Sequence, residues 1–157
     1  MTLLPGDIVL IHRGTGWMVF APLVWLWQWA VGPYHVEMVW DVIPDPFPTT
    51  TSTLGPEIIG YKAFSLQPPV LGIVERRFAD LKISAYRLKN RSDLMTDIFW
   101  RWGNKWLTTP RPYVLGWQTC GHPIEAFYKE LGIEIGSVYP GGIEKFCKGS
   151  DKFVEVR

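Results

Sequence analysis

Gly116-Trp-Gln-Thr-Cys-Gly-His-Pro123 is the stretch on which the fold turns. Directly after it, Ile124, Phe127, Tyr128 and Leu131 recur at i, i+3, i+4 and i+7, a spacing that puts them on one helical face. Thr119 is the expected N-cap, Pro123 fits a first turn, and Gly132 is the expected C-terminal stop. Cys120 is therefore expected to begin a helix. The unpaired N–H groups and positive dipole end found there favour an anion. The pattern thus predicts a reactive thiolate, where a free cysteine is otherwise most often an inert buried thiol.

A thiolate nucleophile works with a base, and His35 opens a segment that alternates as a strand through Val42. Val36, Met38 and Trp40 point one way, and His35, Glu37, Val39 and Asp41 the other. Upstream, Pro5-Gly6-Asp7 reads as a turn and Ile8 to Ile11 as a short strand buried on both faces. Gly14 to Gly16 makes another turn. Trp17 to Val31 is almost wholly apolar, and its lack of alternation predicts a helix kinked or started at Pro22.

Downstream, Pro44 to Pro56 is a proline- and threonine-rich loop. Glu57 to Leu66 reads as a strand, Gly72 to Val74 as a short one, and Ile83 to Leu88 as a better one, with Ile83, Ala85 and Arg87 opposite Ser84, Tyr86 and Leu88. Ser92 is expected to cap a helix reaching about Leu107, with Met95, Phe99, Trp102 and Trp106 along one stripe. Pro110-Arg-Pro112 breaks the chain before Cys120. A Tyr139-Pro-Gly-Gly turn, a short helix at Ile143 to Cys147 and a closing strand Phe153 to Val156 complete the pattern. Strands clustered between helices point to an α+β fold, and residues 1–157 read as one domain without repeats.

The formal net charge is +1 and the basic residues are scattered, so charge gives no case for nucleic acid or an anionic membrane as partner. Aromatic residues reach 15%, with 9 Trp, a composition frequent at interfaces. Cys120 and Cys147 do not make a disulfide framework and are expected to be reduced. The opening Met1-Thr-Leu-Leu-Pro-Gly-Asp7 lacks the basic region and apolar run of a secretory signal, so a cytoplasmic or virion-associated location is expected. Trp17 to Val31 is shorter than the ~20 apolar residues needed to span a bilayer, so no full transmembrane span is expected. It reads as a core helix or as one facing a membrane surface or protein partner, because Trp25, Trp27 and Trp29 cannot share one helical face. His12, His122 and Cys147 lack metal-ligand spacing, and neither a metal nor another cofactor is expected.

Five segments carry a resemblance that spans nearly the whole chain: Leu4-Pro-Gly-Asp-Ile-Val-Leu-Ile11 with the apolar Trp-containing helix after it, Pro33-Tyr-His-Val-Glu-Met-Val39, Arg111-Pro-Tyr-Val114, Trp117-Gln-Thr-Cys-Gly121, and Leu131-Gly-Ile133 with Tyr139-Pro-Gly-Gly-Ile143. In this order, with histidine before cysteine, they resemble the circularly permuted NlpC-type papain-like family, the group containing YiiX-like proteins and lecithin:retinol acyltransferase. The resemblance implies an antiparallel sheet packed against helices, Cys120 as nucleophile and His35 as base. It implies a third polar group on the next strand, where Tyr61-Lys62-Ala63 stands. Lys62 departs from that pattern, since it offers donors only. Glu57 and Glu37 are the substitutes, beside a bare Cys–His pair or a backbone carbonyl. The Cys120 N–H is the expected oxyanion donor, with Tyr113 a second.

The implied activity is a thiol hydrolase cleaving an amide bond in a peptide or cell-wall peptide through an acyl-enzyme. The alternatives are a lipid acyl hydrolase or acyltransferase reached through the Trp-rich helix, and a structural or binding component of a larger assembly.

Overall fold

A computed structural model describes residues 2–14, 35–45, 58–66, 71–109 and 119–156. The expected helix at Trp17 to Val31, nearly all of the Pro44 to Pro56 loop, and both Glu57 and Tyr113 lie outside these residues.

The described residues form an α+β structure. Six strands, β1 (Ile8–Gly14), β2 (His35–Pro44), β3 (Ile58–Leu66), β4 (Leu71–Arg77), β5 (Leu81–Leu88) and β6 (Phe153–Val156), make one sheet in the order β4-β3-β2-β1-β5-β6. Every pairing is antiparallel. Three α-helices follow the first five strands: α1 (Met95–Leu107), α2 (His122–Glu130) and α3 (Pro140–Gly149). Among the described residues no helix is long and apolar enough to cross a membrane.

Alternation along the strands builds two cores. Ile8, Leu10, Val36, Met38, Phe64 and Tyr86 face the helices and pack with Phe99, Trp102, Ile124, Phe127, Tyr128 and Ile143. Val9, Ile11, Val39, Tyr61, Ala63 and Ala85 form a smaller cluster with Leu3 on the other face. Central β1 is buried on both sides, which is why Ile8 to Ile11 shows no alternation. The aromatic stripe of α1 is part of a continuous ring cluster, with Trp102 centred 5.4 Å from Phe64 and 5.1 Å from Phe127.

The N-terminal turn ties sheet to helix. Gly6, at φ +88°, takes a left-handed conformation that L side chains rarely adopt. Its N–H donates to Val39 O at 2.7 Å, and Tyr128 Oη donates to its carbonyl at 2.9 Å. The buried Asp7 carboxylate accepts Leu4 N–H at 2.8 Å and the Arg87 Nη2 group at 2.6 Å.

Several boundaries differ from the sequence reading. β4 runs to Arg77, well past Val74, because paired strands need not alternate cleanly at a sheet edge. Ser92 does not cap α1 with its side chain; its carbonyl accepts Met95 N–H in a preceding turn. Thr119 is not the cap of α2 either. The flanking residue is Gly121, without a side-chain cap bond, and the helix starts at His122. At the other end Gly132, at φ +74°, stops α2 as expected, with Ile133 N–H returning to Tyr128 O and Gly132 N–H to Lys129 O.

Candidate active site

Cys120 lies in the turn Thr119–His122, two residues ahead of α2 rather than at its start. Three contacts set that turn. His122 N–H donates to Thr119 O at 3.1 Å, Thr119 N–H donates to His122 Nδ1 at 2.8 Å, and Thr119 Oγ1 donates to Val138 O at 2.8 Å. His122 is thereby committed to the turn. Gly121 is pressed against the segment before α3: a Cβ there would stand 2.1 Å from Val138 O. Only glycine allows that approach. The Cys120 residue is 5% exposed.

His35 opens β2, and its side chain is 12% exposed. Its Nε2 lies 2.8 Å from Ser65 Oγ and 3.2 Å from Glu37 Oε2, and its ring is near enough to Cys120 for that residue to act on its ionisation. Burial alone would lower the histidine pKa. The charge of a Cys120 thiolate, its hydrogen bond, and then Glu37 reverse that and raise it from 6.5 to about 9.

Glu37 has a fully buried side chain. Tyr61 Oη donates to Oε1 at 2.8 Å, Arg76 Nε lies 3.1 Å from Oε1, and Arg76 Nη2 donates to Oε2 at 3.0 Å. Burial opposes its ionisation, but the His35 hydrogen bond and charge, followed by those of Arg76, hold its pKa down to about 2. Glu37 is thus a carboxylate, able only to accept. His35 Nε2 must carry the hydrogen between them, and Nδ1 is the ring nitrogen left for Cys120.

Lys62 sits elsewhere. It pairs in register with Asp41 and Glu75, and stands three residues along β3 from Ser65, about 10 Å at strand spacing. An odd offset puts it on the opposite face from Ser65. The Tyr61-Lys62-Ala63 segment therefore contributes Tyr61, not Lys62, to this network. Glu37, two residues from the histidine, supplies the acceptor. Glu57 and Tyr113 fall outside the described residues.

Sequence reasoning missed Ser65, Arg76 and the role of Tyr61. One signal was present: Tyr61, Ala63 and Ser65 share one face by alternation. Arg76 lay beyond the end assigned to its strand, and its approach to Glu37 depends on register across β3, which one sequence does not reveal.

The other candidate groups are not arranged this way. His12 Nε2 lies 2.9 Å from Ser84 Oγ and 3.9 Å from Glu144 Oε1. Both partners address the same nitrogen, so His12 does not relay between them. Cys147 is buried, and burial with the charge of Glu144 pushes its thiol up to about 12. Among the described residues no three His, Cys, Asp or Glu side chains are grouped to hold a metal.

No family model, curated protein or solved structure matches the chain.

Proposed function

We propose that the chain is a thiol hydrolase of the permuted papain-like type, cleaving an amide bond of a peptide or cell-wall peptide through an acyl-enzyme. The observation that carries this reading is the division of labour on the His35 ring: Nε2 engaged by Glu37 and Ser65, Cys120 at the same ring. That is the nucleophile–base–orienter arrangement of covalent catalysis.

The Cys120 thiolate attacks the substrate carbonyl carbon, and the carbonyl π electrons move to oxygen. Collapse breaks the C–N bond while His35, protonated at Nδ1, gives that proton to the departing amine. Water then attacks the thioester as Nδ1 takes its proton, and the thiolate leaves. The Cys120 N–H is the group assigned to stabilise the oxyanion.

A second reading, an acyl-lipid substrate, has an observation behind it. Trp102, in the cluster that holds Cys120, meets Trp106 packed against it with ring centroids 4.8 Å apart and planes tilted by 31°, and the buried Trp102 Nε1–H has no partner among the described residues. An apolar acyl chain with a polar group would suit such a surface.

The test is acyl-enzyme trapping. Incubation with peptide amides and with acyl-lipid esters, followed by mass spectrometry of the intact chain, should give an adduct on Cys120 that is absent from Cys120→Ala. An adduct from the peptide alone supports the first reading, and one from the lipid alone the second. No adduct from either overturns the hydrolase.

A further inference from the structure

We propose that Arg76 and Tyr61 are positioning residues of this site, which lock Glu37 in the orientation that fixes His35 with Nε2 as donor and Nδ1 toward Cys120. The inference rests on the hydrolase reading and extends the site from β2 to the edge strand β4.

The geometry assigns each lone pair of the carboxylate. Oε1 receives Tyr61 Oη at 2.8 Å and Arg76 Nε at 3.1 Å. Oε2 receives Arg76 Nη2 at 3.0 Å and a share of Arg76 Nε at 3.3 Å, and faces His35 Nε2 at 3.2 Å. A guanidinium fork meeting both oxygens fixes the carboxylate plane, which a point charge cannot do. Tyr61 adds a direction from within β3. The carboxylate therefore neither rotates nor slides, and the one remaining acceptor site points at the histidine ring.

The groups facing Glu37 come from each neighbouring strand. His35 is on its own strand, Tyr61 on β3 and Arg76 on β4, while its β1 neighbour Val9 is apolar. Cys120, in the turn before α2, also acts on the His35 ring. Arg76 is the only cation other than His35 bonded to Glu37 among the described residues. Without it the buried carboxylate would keep only His35 to compensate its charge and would take up a proton more readily. Protonated Glu37 carries an O–H and no longer forces Nε2 to be the donor. The ring can then hold its hydrogen on Nδ1, and in that tautomer it cannot accept a proton from the thiol.

A merely structural Arg76 would neutralise Glu37 and support the fold without affecting the tautomer. The full chain with Arg76→Gln, Arg76→Lys and Tyr61→Phe separates the two roles. Nitrogen chemical shifts of His35, followed above about pH 9 where the ring is neutral, report the tautomer, iodoacetamide alkylation of Cys120 across pH reports the pair, and thermal melting reports folding. In Arg76→Gln, the His35 shifts should move toward the Nδ1–H form, and alkylation at neutral pH should fall about tenfold, the equivalent of one pKa unit. Arg76→Lys, which keeps the charge but not the fork, should recover part of that loss. Tyr61→Phe should show a smaller change in the same direction, and it carries the test if Arg76→Gln does not fold.

Wild-type tautomer and alkylation in a folded Arg76→Gln, or in Tyr61→Phe if the former is unfolded, would overturn the inference and leave the hydrolase standing. His35 shifts that ignore Cys120→Ala in the otherwise native chain would overturn the hydrolase reading and this one with it.

Discussion

Ser65 Oγ stands 2.8 Å from His35 Nε2, nearer than the Glu37 carboxylate at 3.2 Å on the same nitrogen. Two acceptors on one N–H hold the ring from two strands, β2 through Glu37 and β3 through Ser65. Glu37 sets which nitrogen carries the hydrogen. Ser65 restrains the ring about its own axis, so the serine governs precision more than ionisation. Ser65→Ala should lower amide turnover by about tenfold, within the range a positioning error costs. The alkylation pH profile should keep its shape. A profile that shifts along the pH axis would show that Ser65 also sets the charge.

His35→Asn removes the proposed base and leaves Cys120 in its turn. Turnover should fall ~10²–10⁴-fold, the usual contribution of general acid–base catalysis. Alkylation at neutral pH should slow as well. An unchanged alkylation rate would mean that Cys120 is activated without the histidine.

The two cysteines differ sharply in setting. Cys147 is buried, and burial with the charge of Glu144 pushes its thiol up to about 12. Iodoacetamide at neutral pH should label Cys120 while leaving Cys147 largely unmodified until the chain is denatured. Peptide mapping measures this directly, and equal labelling in the native state would refute the assignment.

Gly121 and Gly149 form a matched pair. A Cβ at Gly121 meets backbone at 2.1 Å, whereas one at Gly149 meets nothing within 4 Å. Gly121→Ala should destabilise the fold by about 1–3 kcal/mol, as overpacking does, and displace the cysteine turn. Gly149→Ala, in the last turn of α3, should be neutral or stabilising by about 0.5–1 kcal/mol. Urea unfolding compares them, and equal midpoints would contradict the close approach seen at Gly121.

Stability should peak in weakly acidic solution. Glu37, lowered from 4.5 to about 2, contributes fully above pH 4.5, and that contribution is lost as pH falls through about 2. His35, raised from 6.5 to about 9, contributes fully below pH 6.5, and that contribution is lost as pH rises through about 9. Melting temperatures should therefore plateau between these limits and decline on both sides. His35→Asn should flatten the alkaline decline, and an unaltered decline would place its origin elsewhere.

Much of this architecture is legible from alternation. His35 to Val42 and Ile83 to Leu88 show which residues face the helices, and the period of Met95, Phe99 and Trp102 marks the buried side of α1. Phe153 to Val156 is a strand with the expected bounds. Helix starts are less legible, because their polar groups are satisfied by backbone or distant partners: Thr119 bonds Val138 instead of capping α2. The Cys120–His35–Glu37 grouping was open to sequence reasoning because each residue lies in a short recognisable segment. Ser65 and Arg76 join it through strand register, a tertiary property that local pattern does not encode.

The order of elements along the chain has one more consequence. His35, Glu37, Ser65 and Arg76 all precede the link that joins β5 to α1, and Cys120 follows it. The two portions are sewn together where β5 pairs with β6 and where Lys89 N–H meets Lys152 O at 2.8 Å. On the proposed function, a chain severed in that link would yield two fragments, each inactive alone: one with His35 and no Cys120, the other with Cys120 and no His35. Thiol reactivity would return only on their recombination, so it reports the joining of the fragments and not the state of either one.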